Sequence, residues 1–207
     1  DVLAEMGALG FLGMTVPEEW GGAGLDYVSY ALALMEIAAG DGALSTLMSV
    51  NNAPVCAILM ACGSPRQKDE YLRRLAAGEM IGAFALTEPH AGSDAASLRT
   101  TARRVDGGYV LNGTKQFITS GSIAGATITF AVTDATAGKR GLSAFLVPAD
   151  APGFRVGRLE SKLGQRASDT AQLVYEDVFV DEWLRLGAEG EGYRIALANL
   201  ETGRIGI

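Results

Sequence analysis

The stretch Phe84-Ala85-Leu86-Thr87-Glu88-Pro89-His90-Ala91-Gly92-Ser93-Asp94 lies where the period of this chain changes. Before residue 80 the apolar residues recur at helical spacing, whereas short, β-branched runs follow it. The stretch itself leaves a strand-like run and enters a polar turn made of small residues. It therefore separates a helical part of the chain from a β part.

The first 79 residues are predicted to form a helical domain. Apolar residues recur at helical spacing over residues 27–37 and again over 44–60. Ser64-Pro65-Arg66-Gln67 predicts the start of a further helix, because Ser64 can cap it and Gln67 completes a capping box. Gly78 predicts the end of that helix.

Residues 80–184 are predicted to form a β domain. The runs 80–87, 126–133, 141–148 and 171–180 are short and bounded by Gly, Asp or Pro. Asn112-Gly113 predicts a hairpin turn between two strands. Because no helical pattern lies between these runs, an antiparallel barrel or sandwich is expected. Residues 185–207 return to helical spacing and predict the start of another helical domain.

Composition narrows the function classes. The 207 residues are 48% hydrophobic and 20% charged, which is typical of a soluble globular protein. A net charge of -7 argues against a nucleic-acid surface, and no apolar run approaches the roughly 20 residues of a membrane span. Cys56 and Cys62 are expected to be buried free thiols of an intracellular protein. Because the chain opens with Asp1, a trimmed start is expected.

Two polar stretches carry the chemistry: the stretch quoted above, and Asn112-Gly113-Thr114-Lys115-Gln116-Phe117-Ile118-Thr119. Hydroxyls of Thr87 and Thr119, at the ends of strand-like runs, can meet the hydrogen-bonding edge of a flavin ring without adding charge. Gly92-Ser93 can approach a phosphate closely, and Asp94 suits a cap for the turn after it. The alternative is that these stretches are two ordinary turns.

Three further features can be interpreted from the residues alone. Phe117 could be a core aromatic or a wall against a planar ring, and the core is favoured. His90, the single histidine, is expected to be solvent-exposed rather than catalytic. No cluster with the spacing of zinc ligands is present, so no metal is expected.

The pattern as a whole resembles the acyl-CoA dehydrogenase family, over essentially the whole chain and in the family's order. Six motifs carry the resemblance: Val16-Pro17-Glu18-Glu19-Trp20-Gly21-Gly22, Leu86-Thr87-Glu88-Pro89 with Ala91-Gly92-Ser93-Asp94, Asn112-Gly113-Thr114-Lys115 with Ile118-Thr119, Gly164-Gln165-Arg166-Ala167-Ser168-Asp169-Thr170, Glu176-Asp177-Val178, and Gly203-Arg204-Ile205-Gly206-Ile207.

The resemblance implies an α+β chain: an N-terminal helical domain (1–79), a middle antiparallel β-barrel or sandwich domain (80–184) and the first helix of a C-terminal helical bundle (185–207). FAD would bind between the domains. The residues implied to hold FAD are Phe84, Leu86, Thr87, Gly92, Ser93, Phe117, Ile118 and Thr119. Those implied to contact the acyl-CoA are Ser93, Glu201 and Arg204.

The implied reaction is α,β-desaturation of an acyl-CoA thioester, in which a carboxylate removes the α-proton and a hydride leaves to the flavin. That carboxylate is expected beyond Ile207, since the position that holds it in a few members is Gly203 here. The chain alone is therefore expected to lack a catalytic residue. Two positions depart from the family, namely Phe117 for a common tryptophan and Glu201 for a common aspartate.

The resemblance also implies partners. An electron-transferring flavoprotein would accept the electrons, the protein would be a homotetramer, and it would lie in the bacterial cytoplasm or the mitochondrial matrix. Two alternatives remain open at this point. One is an acyl-CoA oxidase or related flavoenzyme on the same fold, and the other is a non-catalytic scaffold that binds acyl-CoA or flavin.

Overall fold

The computed structural model describes residues 2–206, apart from the side chains of residues 201, 202 and 206. The chain divides into two compact units. The helical unit comprises the residues up to Gly82, the loop Ser161–Ser168 and the residues from Ala198 onward. The sheet unit comprises Ala83–Glu160 and Asp169–Leu197. The loop 161–168 thus belongs to the helical unit although it lies within the predicted β domain.

The helices follow the predicted spacing. They are α1 (Val2–Ala8), α2 (Tyr27–Gly40), α3 (Gly42–Val50), α4 (Ala57–Cys62), α5 (Pro65–Gln67), α6 (Arg73–Ala76) and α7 (Gly192–Gly203). The capping box is confirmed, since Gln67 N donates to Ser64 Oγ and Ser64 N donates to Gln67 Oε1. Gly78 ends this helical stretch with a φ of 73°.

Two π-helical segments interrupt the helices: Asn51–Cys56 joins α3 to α4, and Lys68–Leu72 joins α5 to α6. In the first, Pro54 has no backbone N–H to donate, and Ala53 leaves the helical region with φ −140° and ψ 106°. Segments of this kind persist where the surrounding structure supports them.

The helix Gly42–Cys62 corrects one prediction from the sequence. It is long and apolar enough, by length and composition, to cross a membrane. However, 72% of its apolar window is buried inside the structure, which is typical of the core helix of a soluble protein. Cys56 on this helix is a buried free thiol, as predicted, and burial raises its pKa to about 12. Cys62, which was predicted to be buried as well, is only partly buried.

Asn51 and Asn52 hold the first π-helical segment in place. The Asn51 amide donates to the carbonyls of Leu12 and Leu75 at 2.8 and 3.1 Å and accepts from Gly82 N at 3.0 Å. The Asn52 amide donates to Phe11 O and accepts from Met14 N. Both amides are fully buried, so these bonds satisfy groups that would otherwise be costly.

The sheet unit contains one eight-stranded sheet. Its strands are β1 (Gly82–Ala85), β2 (Thr101–Val105), β3 (Gly108–Thr119), β4 (Ala126–Val132), β5 (Leu142–Pro148), β6 (Phe154–Leu159), β7 (Thr170–Asp181) and β8 (Arg185–Leu186). The order is β6-β7-β3-β2-β4-β5-β8, with β1 paired to β4. Pairings along this order are antiparallel apart from a single parallel bridge between β2 and β4. The four predicted strands are confirmed.

The hairpin predicted at Asn112-Gly113 is wrong. The turn lies earlier, at Asp106-Gly107, where Val105 pairs with Gly108 and Gly107 has a φ of 76°. Asn112-Gly113 instead lies inside β3 at a shift in register. The Asn112 side chain there exchanges two hydrogen bonds of 2.9 Å with Asp177 across the sheet. Both dipeptides suit a turn, and pairing with β2 on one side and β7 on the other keeps the second one within the strand.

The interior of the sheet unit contains a small hydroxyl network. Tyr175 is fully buried, and its hydroxyl lies 2.8 Å from Thr129 Oγ1, which in turn lies 2.9 Å from Thr127 Oγ1. Burial raises the pKa of Tyr175 to about 12. Apolar aromatic rings complete the packing, including Phe84 against Phe130 with centroids 5.1 Å apart.

Candidate functional site

The two polar stretches that were singled out from the sequence meet in the sheet unit. The first follows the end of β1, and the second is the last part of β3. Two consecutive carbonyls of the first bond to two consecutive residues of the second. Leu86 O accepts from Lys115 Nζ at 3.0 Å, and Thr87 O accepts from Gln116 N at 2.9 Å. Residues 29 apart in sequence are thereby fixed side by side.

These two contacts form the junction of the polar stretches, and a buried ion pair between Lys115 and Glu88 adjoins it. Lys115 Nζ is 2.8 Å from Glu88 Oε1, and the two side chains are 0% and 1% exposed. The Glu88 carboxylate also accepts from the backbone N–H groups of Arg99 at 2.7 Å and Thr100 at 3.0 Å. Its outer oxygen lies 3.3 Å from Nε2 of the partly exposed His90. The pair therefore connects three segments of the sheet unit.

Both members of the pair are charged at neutral pH. Burial raises the pKa of the Glu88 carboxyl, but the positive charge and hydrogen bond of Lys115, together with donors from Thr100 and Arg99, outweigh it. The net result is a pKa below the ordinary value of 4.5. Burial lowers the pKa of Lys115 to about 8, and the charge of Glu88 opposes that change.

Phe117 has an unusual backbone and an unusual exposure. Its φ is 58°, in the left-handed region, and its side chain is 59% exposed. It lies in a register shift of the β3–β7 pairing, between the pairs of Lys115 and Ile118. The core position favoured from the residues alone is therefore wrong. Because this conformation costs an L-residue about 1–2 kcal/mol, the surrounding contacts must hold it, and such strain often accompanies function.

Left-handed residues cluster in the motifs of the sequence analysis. Among the described residues, the non-glycine positions with positive φ are Phe117, Ser120, Gln165 and Asp177. The first two lie in or beside the second polar stretch, and the sheet order alone would not require them. The backbone at the end of β3 is therefore irregular, so its side chains do not follow the alternation of a regular strand.

The structure separates the predicted FAD-binding residues into two groups. The side chains of Leu86 and Ile118 are buried in the core, and Phe84 packs against Phe130, so Leu86 and Ile118 offer only backbone groups to a ligand. Thr87 and Thr119 are half-buried at the ends of their strands.

The Gly92-Ser93 turn is exposed, and a Cβ built on Gly92 meets no atom within 4 Å. The backbone here is therefore open to close approach by a ligand. Asp94 caps the following turn as predicted, since its Oδ1 accepts from Ala96 N at 3.1 Å and its Oδ2 from Ser97 Oγ at 2.5 Å. The phosphate function of Gly92-Ser93 stays a prediction.

Two of the three predicted acyl-CoA contacts, Glu201 and Arg204, lie near the end of the chain. Arg204 is exposed in the short 3-10 helix Arg204–Gly206, directly after α7. The side chain of Glu201 lies outside the described residues. Gly203 carries no side chain, and a Cβ built there would meet Ala53 O at an ordinary 3.5 Å. Among the described residues no group of three His, Cys, Asp or Glu side chains could hold a metal ion.

The Glu88–Lys115 pair was missed from the sequence. Both residues lay in the quoted motifs, but neither was given a partner, because 27 residues separate them. One signal was present: Lys115 lies in a strand-like run, where a charge that becomes buried needs a counter-charge. Glu88, one of the two acidic residues in the other polar stretch, was a candidate for that counter-charge.

Two protein-family models match this chain. Residues 1–79 match the acyl-CoA dehydrogenase N-terminal domain, and residues 83–178 match the acyl-CoA dehydrogenase middle domain. The chain belongs to the acyl-CoA dehydrogenase family. The matches cover both units and are in agreement with the α+β architecture described above.

Relatives and solved structures agree with this assignment. The chain is 48% identical to an acyl-CoA dehydrogenase of Bacillus subtilis (strain 168), covering 100% of this chain and 54% of that protein. It is 47% identical to the mitochondrial short-chain specific acyl-CoA dehydrogenase of Homo sapiens, covering 98% and 49%.

Two solved structures superpose closely. A chain reported with the electron transferring flavoprotein of Acidaminococcus fermentans gives a TM-score of 0.97 at 43% identity, covering 99% of this chain and 54% of that one. A glutaryl-CoA dehydrogenase from Mycobacterium smegmatis in complex with FADH2 gives 0.91 at 42%, covering 99% and 51%. The present chain therefore spans about half the length of the family members that it matches.

Proposed function

We propose that the full-length protein is an FAD-dependent acyl-CoA dehydrogenase that introduces an α,β double bond into an acyl-CoA thioester. The observation that carries the proposal is Phe117, a 59% exposed aromatic ring held in a left-handed backbone beside the junction of the two polar stretches. An exposed aromatic ring at a strained position is best explained by a planar ligand that covers it.

The donor set around Phe117 fits FAD. Hydroxyls and backbone groups of Thr87 and Thr119, at half-buried strand ends, would meet the polar edge of the flavin ring. The open backbone at Gly92 and the hydroxyl of Ser93 would hold the pyrophosphate. Phe84, Leu86 and Ile118 would support this wall from behind. When bound, FAD supplies the acceptor for the β-hydride.

The remaining residues of the chain would bind the substrate. The Arg204 guanidinium is exposed and suits phosphate or carbonyl groups of CoA, with Glu201 and Ser93 as further contacts. Proton abstraction needs a positioned carboxylate. Because Gly203 cannot supply one, we propose that the base lies outside these 207 residues, and this chain alone would be inactive.

Substrate, partners and assembly are part of the same proposal. The relatives named short-chain specific favour a short acyl group, and the electron acceptor would be an electron-transferring flavoprotein. The protein would be a homotetramer in the cytoplasm or mitochondrial matrix. Domain boundaries at 79/80 and 184/185 remain our proposal, and limited proteolysis of the full-length protein would test them.

The proposal is tested by titrating the purified full-length protein with acyl-CoA esters of graded chain length under anaerobic conditions. Bleaching of the flavin absorbance, strongest with short esters, is expected. Rapid oxygen consumption after reduction would instead identify an acyl-CoA oxidase. A protein that binds flavin or acyl-CoA without bleaching would be a scaffold, and a protein that binds neither would refute the flavin site altogether.

A further inference from the structure

Lys115 controls the direction of a peptide group at the predicted flavin wall. In a trans peptide the carbonyl and the following N–H point in opposite directions. Because Lys115 Nζ binds Leu86 O at 3.0 Å, the N–H of Thr87 is directed away from the ion pair. The next plane is fixed as well, since Gln116 N binds Thr87 O and Glu88 N donates to Ala91 O at 2.9 Å.

We propose that Lys115, held in place by Glu88, is a positioning residue that aims the Thr87 amide and the Phe117 ring at the flavin. This inference rests on the proposed function and extends it to two residues that would not touch the cofactor. It gives a positioning role to a buried charge pair that takes no part in the proposed reaction.

The geometry of the pair explains why a lysine is present. A primary ammonium has three donors, and Lys115 uses two of them on Leu86 O and Glu88 Oε1. A neutral apolar residue would leave Leu86 O without this donor and Glu88 without its counter-charge. The Glu88 carboxylate is itself fixed by the N–H groups of Arg99 and Thr100, so Lys115 is anchored to a rigid acceptor.

The same residue also fixes the start of the irregular end of β3. Lys115 pairs with Leu173 of β7, and regular pairing resumes only at Ile118 with Ala171. The two residues between them include Phe117 with its φ of 58°. Movement of Lys115 would therefore change two sides of the predicted flavin site at once. These are the Thr87 peptide on one side and the Phe117 ring on the other.

The test compares three variants of the full-length protein, Lys115→Met, Glu88→Gln and the double variant. Removing one charge leaves the other buried and alone, whereas removing both relieves that penalty. If the pair serves only stability, the double variant recovers both the stability and the flavin affinity. If Lys115 is a positioning residue, the double variant regains most of the stability that either single variant loses but not the flavin affinity, because Leu86 O still has no donor.

We expect the double variant to bind FAD more weakly by on the order of tenfold, the equivalent of one well-aimed hydrogen bond. The visible circular dichroism of the bound flavin should also change. Tyr175→Phe is the matched control, because it removes a buried hydroxyl of the same sheet unit that bonds to Thr129 and Thr127 rather than to the ion pair or Leu86 O. It should lose stability while keeping the flavin affinity and the flavin spectrum.

Two outcomes would overturn the inference. One is a double variant with wild-type flavin affinity and spectrum, and the other is a Tyr175→Phe variant whose flavin affinity falls as much as that of the double variant. Failure of the proposed function is distinguishable from both, because it is seen in the wild-type protein, which would then bind no flavin or show no bleaching.

Discussion

Each unit of the molecule contains a buried polar cluster that holds irregular backbone, and the two clusters use different chemistry. In the helical unit, Asn51 and Asn52 hold a π-helical segment with neutral amides bound to five backbone groups from other segments. In the sheet unit, Glu88 and Lys115 hold the ends of two strands with opposite charges. Both clusters are almost completely buried.

The difference shows what each irregularity requires. An amide both donates and accepts, so one asparagine can satisfy the mixed N–H and C=O groups around a π-helical segment without introducing charge. At the strand ends, the Leu86 carbonyl and the N–H groups of Arg99 and Thr100 lie on separate segments, and the Glu88–Lys115 pair connects them. A lysine and a carboxylate accomplish this with stronger, charge-assisted bonds, but they depend on pH and on each other.

The largest effect is expected from breaking the ion pair on one side. Lys115→Met should lower the free energy of unfolding by about 3–5 kcal/mol, because Glu88 is left buried without a counter-charge. Urea denaturation of the flavin-free, full-length protein measures it. As the matched control, Glu176→Gln breaks the exposed pair with Arg155 and should cost no more than about 1 kcal/mol.

The amide cluster should be somewhat less sensitive. Asn51→Ala leaves Leu12 O, Leu75 O and Gly82 N without their side-chain partner, and we expect a loss of about 2–3 kcal/mol. The same denaturation experiment applies. A loss below that of Glu176→Gln would show that the π-helical segment does not depend on the amide, and the comparison between the clusters would fail.

Acidification should separate the two clusters. Because the pKa of Glu88 is lowered on folding, its contribution to stability is complete above the ordinary value of 4.5 and is lost as the pH falls through the lower folded value. The stability difference between wild type and Glu88→Gln should therefore narrow as the pH falls below 4.5. The difference between wild type and Asn51→Ala should stay constant, since an amide does not titrate.

The smallest effect is expected at a helix start far from either cluster. Ser64→Ala removes the N-cap of α5 and should cost about 1 kcal/mol, with no change in flavin affinity. Thermal unfolding and flavin titration of the full-length variant measure the two quantities. A fall in flavin affinity in Ser64→Ala would mean that any loss of stability weakens flavin binding. The weaker flavin binding expected of the Lys115 variants would then no longer indicate a positioning role.

The sequence predicted the features that depend on neighbours along the chain. Ser64 and Gln67 lie three residues apart, so their reciprocal capping bonds could be read directly. The four strand-like runs were also correct, because alternation and turn residues are local signals. The prediction at Asn112-Gly113 was wrong because Asp106-Gly107 forms the turn, and only pairing with β2 and β7 distinguishes the two.

The candidate site was predicted in part. The motifs led to Thr87, Gly92-Ser93 and Thr119, which lie at strand ends or on an exposed turn. The same reasoning placed Phe117 in the core, although its ring is exposed. An aromatic residue in a strand-like run has a core pattern, and a shift in register that turns it outward has no local signature.

By itself, the sequence determined that this chain consists of a helical part followed by a sheet, and its motifs indicated the family, because periodicity, caps and turn residues act over a few residues. The tertiary structure alone decided that Glu88 and Lys115 form a pair, that Asn51 and Asn52 bind distant backbone, and that Phe117 is turned outward. Each of these depends on contacts between residues tens of positions apart. Their free energy arises only when the strands and helices have packed and water has been excluded.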